Sequence, residues 1–126
     1  MAKSSVRYIV NDVEAAMAFY TTQLAFVLEL HPDPTFAILS RDDLQLFLSA
    51  TSGPGGGSQT LPDGRKPEPG GWNRIVLVVD DIERDAARLR RAGNRLRSEV
   101  IVGVGGKQVL VDDPSGNPVE LFEYKK

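Results

Sequence analysis

The sequence contains few of the side chains that usually carry metal or nucleophilic chemistry. Its only histidine is His31, and it has no cysteine. The lack of cysteine excludes disulfides, thiolate catalysis and zinc–sulfur sites. His31 lies beside Pro32 in the stretch ELHPDP, which predicts a turn residue rather than a metal ligand or a catalytic base. Carboxylates, guanidinium groups and aromatic rings are among the candidates that remain.

The composition is that of an ordinary soluble protein with balanced charge. The chain has 126 residues, of which 41% are hydrophobic and 25% charged, and its formal net charge is −2. The densest basic run, residues 88–97, has no interleaved aromatic residue, which favours a solvated helix face over a phosphate-binding patch. No apolar run reaches the ~20 residues of a membrane helix, and no secretion signal is visible at the N-terminus. We therefore expect a cytoplasmic protein without nucleic-acid or membrane partners.

The chain repeats a strand-then-helix pattern at an offset of 69 residues. Apolar residues alternate in both copies, as in a strand: Val6, Tyr8 and Val10 in the first, and Ile75, Leu77 and Val79 in the second. A helical period then follows Asp12 in the first copy and Asp81 in the second. Both aspartates stand where a helix N-cap belongs. Gly93 and Asn94 predict the end of the second helix.

A second echo, at an offset of 75 residues, relates LQLFL at 44–48 to VELFE at 119–123. Each follows a turn and a further extended segment, at 35–40 in the first half and 107–112 in the second. Less distinct strands are predicted near 28–30 and 100–102. Each half therefore reads as one strand, one helix and about three strands. The halves are joined by residues 51–71, a Gly- and Pro-rich stretch that is either a passive linker or a flap over a cavity.

The stretches VNDVEAAMAFYTTQLAF and DDPSGNPVELFE resemble the vicinal oxygen chelate superfamily. This group includes glyoxalase I, extradiol dioxygenases, fosfomycin-modifying enzymes and bleomycin-resistance proteins. The resemblance covers almost the whole chain and implies an α+β fold of two βαβββ modules, in a curled, cleft-containing mixed sheet with helices packed outside. We expect one such domain over residues 1–126, with module 1 at about 4–50, the linker or flap at 51–71 and module 2 at about 72–126. The resemblance also implies a homodimer.

In the metal-using members of this superfamily, four side chains from the first and last strands of the modules hold the ion. Carried onto this sequence, the four positions are Ser5, Gln45, Arg74 and Glu120. Only Glu120 is a good ligand, because a guanidinium has no lone pair to give and repels a divalent cation. The sequence therefore predicts no metal, no other cofactor and no catalytic residue at these positions.

Strand alternation extends this set to a polar and apolar ligand-binding surface. Its predicted members are Ser5, Arg7, Ile9, Gln45, Phe47, Trp72, Arg74, Val76, Leu110, Glu120 and Phe122, together with Val78. Arg74 and Glu120 are expected to pair, either merely filling the vacated metal site or forming a polar floor that orients a ligand. Trp72 is either ordinary core or a stacking wall for a planar ligand.

Two classes of function fit these residues, and a third possibility is an accessory domain that binds no ligand. In the first, the protein sequesters a bulky, partly aromatic small molecule, as the antibiotic-binding branch of the superfamily does. Its ligand would then be an antibiotic or another planar aromatic compound. In the second, it is a metal-dependent or acid–base lyase, isomerase or dioxygenase, for example with Glu120 as general base and Arg74 stabilising an oxyanion. The lost ligands and the aromatic positions favour the binding protein.

Overall fold

The computed structural model describes residues 3–126, and the chain divides into two compact units, Met1–Gly70 and Gly71–Lys126. We call them the N-terminal unit and the C-terminal unit. The N-terminal unit contains β1 (Ser5–Val10), α1 (Val13–Gln23), β2 (Val27–Asp33), β3 (Phe36–Arg41) and β4 (Leu44–Ala50). The C-terminal unit contains β5 (Ile75–Val78), α2 (Ile82–Arg91), β6 (Ile101–Val102), β7 (Gly106–Asp112) and β8 (Pro118–Tyr124). The predicted order of one strand, one helix and three strands is confirmed in both.

Each unit is built on a mixed, four-stranded sheet with the same topology. The strand order is β1-β4-β3-β2 in the N-terminal unit and β5-β8-β7-β6 in the C-terminal unit. The first strand of each unit pairs in parallel with the last one, and the other pairings are antiparallel. The helix is what makes the parallel pairing possible, because a crossover must return the chain to the same end of the sheet. The α+β fold class is thereby confirmed.

Both helices begin where the sequence predicts. Asp12 Oδ1 accepts a hydrogen bond from the backbone N–H of Ala15, and Asp81 Oδ1 accepts one from that of Arg84, at 3.1 Å each. Each carboxylate satisfies a backbone donor that the first helical turn leaves open. α2 ends before Gly93, whose φ of +86° is the left-handed conformation that glycine adopts without strain. Within residues 3–126, no helix is long and apolar enough to cross a membrane.

One face of each sheet is buried beneath its helix. In the N-terminal unit, the buried apolar side chains of the strands include Tyr8, Val10, Ala37, Leu39, Leu46 and Leu48. In the C-terminal unit, they include Ile75, Leu77, Val109, Val111, Val119 and Leu121. Because strand side chains alternate between faces, the residues between these positions point to the opposite face of the same sheet. The predicted ligand-binding residues on the strands are on that second face.

The predicted turn at His31 is wrong. His31 lies inside β2, where its Nε2 is 3.3 Å from Oε1 of Glu14 in α1. Pro32 is tolerated there because β2 is the edge strand of its sheet, so that the missing N–H removes no ladder hydrogen bond from a central pairing. The pairing of β2 with β3 is also irregular in register, and this irregularity accommodates the proline. His31 thus lies close to α1 from the edge strand.

Candidate functional site

Ser5 and Gln45 are brought together in the N-terminal unit. They are register partners on the parallel strands β1 and β4, and Ser5 Oγ donates a hydrogen bond to Gln45 Oε1 at 2.6 Å. The amide oxygen that would face a cation is therefore already engaged by a hydroxyl. Neutral oxygens of this kind are weak ligands for zinc, iron or nickel, which prefer imidazole or carboxylate groups.

Arg7 and Phe47 form the next layer of the same face. They are register partners, and the Arg7 guanidinium carbon lies 5.3 Å from the centroid of the Phe47 ring. Phe36 meets this ring edge-to-face at a centroid distance of 5.3 Å. The three side chains form a stack in which the cation lies against an aromatic face. Ile9 follows Arg7 on the same side of β1 and is half-buried.

The Gly- and Pro-rich loop reaches this stack through a glycine. A Cβ atom at Gly57 would overlap the guanidinium of Arg7, so that a larger residue here would require this flexible side chain to move. Gly57 lies in a short 3₁₀ turn, Gly56–Ser58, and Gln59 donates side-chain hydrogen bonds to the carbonyls of Gly53 and Gly55. Leu61, the one large apolar residue of segment 51–71, is exposed and does not anchor the loop.

Arg74 and Glu120 form an ion pair in the C-terminal unit. Nε and Nη2 of Arg74 lie 2.9 and 2.8 Å from Oε1 of Glu120. Glu120 is on β8 opposite Val76, and only 7% of its surface is exposed. The pairing expected from the sequence is thus present, between the residue just before β5 and the neighbouring strand β8. A buried carboxylate requires such a partner, because an uncompensated buried charge costs several kcal/mol.

Trp72 precedes β5 and is not a core residue. Trp72 is 74% exposed, so the interpretation of this residue as ordinary core is wrong. Its carbonyl accepts a hydrogen bond of 3.3 Å from Arg74 Nη1. Its indole ring lies beneath the guanidinium of Arg97, 5.9 Å from ring centroid to guanidinium carbon.

The aliphatic residues beside the ion pair leave an apolar strip on the sheet. Val76 and Val78 are 50% and 53% exposed, although both belong to a regular strand. Leu110 is the register partner of Glu120, and Phe122 that of Val78, so both lie on the same face. Beyond Val78, a depression of about 370 Å³ runs between residues 78–80 and 123–126. Phe122 stacks edge-to-face on Tyr124, which lines this depression, at 5.0 Å.

The sequence did not reveal the role of Arg97. The basic run 88–97 was predicted to be a helix face, but α2 ends at Arg91. Residues 95–97 instead pair with β7 through a bridge between Leu96 and Val111. Arg97 Nε then donates to Asp112 Oδ1 at 2.6 Å. The Gly93–Asn94 stop was the available signal that the basic run is divided.

Ser5, Gln45, Arg74 and Glu120, at the positions that hold the ion in metal-using members of the superfamily, do not fit a divalent metal. In the N-terminal unit, the Ser5 hydroxyl is hydrogen-bonded to the Gln45 amide oxygen. In the C-terminal unit, the Glu120 carboxylate is paired with the Arg74 guanidinium. Across the described chain, residues 3–126, no three histidine, aspartate or glutamate side chains converge in a metal-binding group.

The sequence model of the Glyoxalase/Bleomycin resistance protein/Dioxygenase superfamily matches residues 4–121. The chain belongs to this superfamily. The family assignment made from the two motifs is thereby confirmed, whereas the branch of the superfamily is a separate question. Among curated protein sequences, none matches the chain significantly.

Several solved structures have a similar fold over nearly the whole chain. A superfamily member from Sphaerobacter thermophilus DSM 20745 is 27% identical, with a TM-score of 0.74 over 98% of each chain. TnmS3, an antibiotic binding protein from Streptomyces sp. CB03234, is 23% identical, with a TM-score of 0.73 over 99% of this chain and 98% of that one. A lactoylglutathione lyase from Agrobacterium tumefaciens is 18% identical, with a TM-score of 0.73 over 98% and 94%. At such identities the last two show a shared fold alone.

Proposed function

We propose that this protein binds a bulky, partly aromatic small molecule, such as an antibiotic, and holds it without transforming it. The observation that carries the proposal is the ion pair of Arg74 and Glu120. Glu120 is the one good metal ligand among the four positions that correspond to the superfamily's metal ligands. Two guanidinium nitrogens of Arg74 are directed at its Oε1. A carboxylate held in this way is neither a free ligand for a metal nor a free base, so binding is the function that the site supports best.

The surface beside the pair is suited to hold a planar, apolar molecule. Trp72, Val76 and Val78 expose apolar area that the fold leaves uncovered, and the ion pair supplies polar groups next to it. Small-molecule sites typically combine such apolar area with a few placed polar groups. An indole offers a large flat face at a low cost in side-chain entropy. The fold of TnmS3, an antibiotic binding protein, is an independent support, because it shows that this scaffold can serve such binding.

The proposal includes a homodimer. In each unit, the edge strand farthest from the first strand carries exposed apolar residues. They are Leu28 and Leu30 on β2, and Ile101 and Val102 on β6. Unpaired strand edges with apolar side chains are ready to pair with another chain. Light scattering of the purified protein is expected to give twice the chain mass of 13.8 kDa. A mass of one chain at micromolar concentration would contradict this part of the proposal.

A ligand is expected to change the fluorescence of Trp72, the only tryptophan in the sequence. We expect at least one of a panel of bleomycin-, mitomycin- and enediyne-type compounds to quench or shift this fluorescence. The same compound should raise the free energy of unfolding, by about 2.7 kcal/mol at a hundredfold excess over Kd. If none of the compounds alters either quantity, the sequestration proposal loses its support.

Replacing Trp72 with alanine is expected to weaken the binding of that compound at least tenfold by titration calorimetry, because the stacking area is lost. The free energy of unfolding should change by less than about 0.5 kcal/mol, since the side chain is largely exposed. Val104→Ala is the matched control, because Val104 is an apolar residue of the same unit that is 97% exposed. Equal affinity in Trp72→Ala and Val104→Ala would refute the stacking role.

A further inference from the structure

Trp72 is held at two points although it precedes the strand. Its carbonyl oxygen accepts from Arg74 Nη1, and its ring is covered by the guanidinium of Arg97. The first contact fixes the backbone, and only the second can restrict the ring. Since the residue is still 74% exposed, Arg97 covers only part of the indole and leaves the rest to solvent.

Arg97 is itself fixed before any ligand arrives. Its Nε donates to Asp112 Oδ1 at 2.6 Å, and its Nη2 donates to the Gly116 carbonyl at 3.3 Å. Its backbone N–H donates to the Leu110 carbonyl at 2.9 Å, which ties the segment to β7. The Asp112 side chain is only 10% exposed, so its carboxylate cannot move freely toward other partners. A planar guanidinium held by a carboxylate and a carbonyl is preorganised to stack on an aromatic ring.

The charges around the indole favour one sign of ligand. Arg74, Arg95 and Arg97 lie in this network, against the two carboxylates of Glu120 and Asp112. Both carboxylates face guanidinium groups, and the charge that lies against the ring itself is the Arg97 guanidinium, which is positive. A cation on one face also reduces the attraction that the ring quadrupole offers to a second cation.

We propose that Arg97 is the residue that positions Trp72, and that it makes the open indole face a platform for neutral or anionic planar groups rather than for cations. The ligand preference rests on the proposed binding function. The positioning of the ring does not, because it is a property of the free protein. The two can therefore fail separately.

The test uses the fluorescence of the single tryptophan in the free, full-length protein at low, constant ionic strength, where charge effects are least screened. Iodide and caesium are the anionic and cationic quenchers, each normalised to N-acetyltryptophanamide. In the parent, iodide is expected to quench Trp72 about twofold more effectively than caesium. Arg97→Gln should bring the ratio close to unity, whereas Arg97→Lys, which retains the charge, should keep it above unity.

Time-resolved anisotropy measures the positioning itself. Arg97→Gln is expected to increase the amplitude of the fast depolarisation of Trp72 by roughly twofold, because the ring loses its cover. Asp112→Asn, which weakens the anchor of Arg97, should change it in the same direction by less. Arg90→Gln is the matched control, because Arg90 donates instead to Glu99 and to the Ser98 carbonyl, and it should leave both readouts unchanged.

Two results would overturn the inference. One is an unchanged anisotropy decay in Arg97→Gln and Asp112→Asn, which would mean that Arg97 does not restrict the ring. The other is a parent protein in which caesium quenches as well as iodide. Failure of every antibiotic in the panel, with the Arg97 effects present, would instead count against the proposed function alone.

Discussion

Arg74→Met is expected to lower the free energy of unfolding by about 3 kcal/mol, because it leaves the Glu120 carboxylate buried without its cation. The Glu120 side chain is only 9% exposed, so water can replace the guanidinium only in part. Denaturant unfolding at neutral pH measures the loss. Arg65→Met is the matched control, because Arg65 pairs with Asp63 at the surface and such pairs contribute less than about 1 kcal/mol. A loss in Arg74→Met as small as that of the control would mean that the pair is not buried.

The double variant Arg74→Met/Glu120→Leu separates the two roles left open for the pair. Replacing both members of a buried pair with apolar residues is often close to neutral, so the double variant should recover most of the stability lost in Arg74→Met. If the pair only fills the space of a lost metal site, the double variant should also bind the ligand as the parent does. We expect weaker binding, because the proposal gives the pair a role in orienting the ligand.

Asp113→Ala is expected to lower the free energy of unfolding by about 2–4 kcal/mol, because its carboxylate organises the turn between β7 and β8. Asp113 is 4% exposed. Its Oδ1 accepts from the backbone N–H groups of Ser115 and Asn117 at 2.8 and 2.9 Å, and its Oδ2 accepts from Asn117 Nδ2 at 2.9 Å. Removing the carboxylate leaves buried donors without this acceptor, and the cost of such donors exceeds that of a lost surface contact.

Asp63→Ala is the control for this turn. Asp63 also accepts from a backbone N–H and a side-chain nitrogen two residues later, both of Arg65, but this turn is exposed. Water can replace these bonds, so the change should stay within about 0.5 kcal/mol. By contrast, the Asp113 turn sets the register of β8 and hence the position of Glu120 on the sheet. Equal losses in the two variants would show that the DPSGNP turn is not held by its aspartate.

The fold could be predicted because its signals are local and repeated. Alternating apolar residues mark β1 and β5, and Asp12 and Asp81 start the helices through contacts within three residues. The pair of Arg74 and Glu120 was also within reach, because strand alternation puts both on one face once the order of elements is known. These inferences need the period of the sequence but no knowledge of a particular tertiary contact.

The contacts that the sequence did not reveal depend on how the chain turns between elements. Arg97 meets Trp72 only because the segment after Gly93 folds back along β7, and no periodicity marks that return. Gly57 meets Arg7 through a loop whose composition suggested only flexibility. His31 was assigned to a turn because Pro32 ends strands in most contexts, but at a sheet edge it does not.

Metal analysis of the purified protein, after expression with Zn²⁺, Ni²⁺, Mn²⁺ and Fe²⁺ available, tests the central claim most directly. The claim is that the superfamily's metal-ligand positions hold two internally bonded pairs, Ser5 with Gln45 in one unit and Arg74 with Glu120 in the other. We expect only traces of each metal, because no imidazole and no free carboxylate is offered at these positions. One tightly bound ion per chain, lost together with Glu120 in a Glu120→Gln variant, would contradict it.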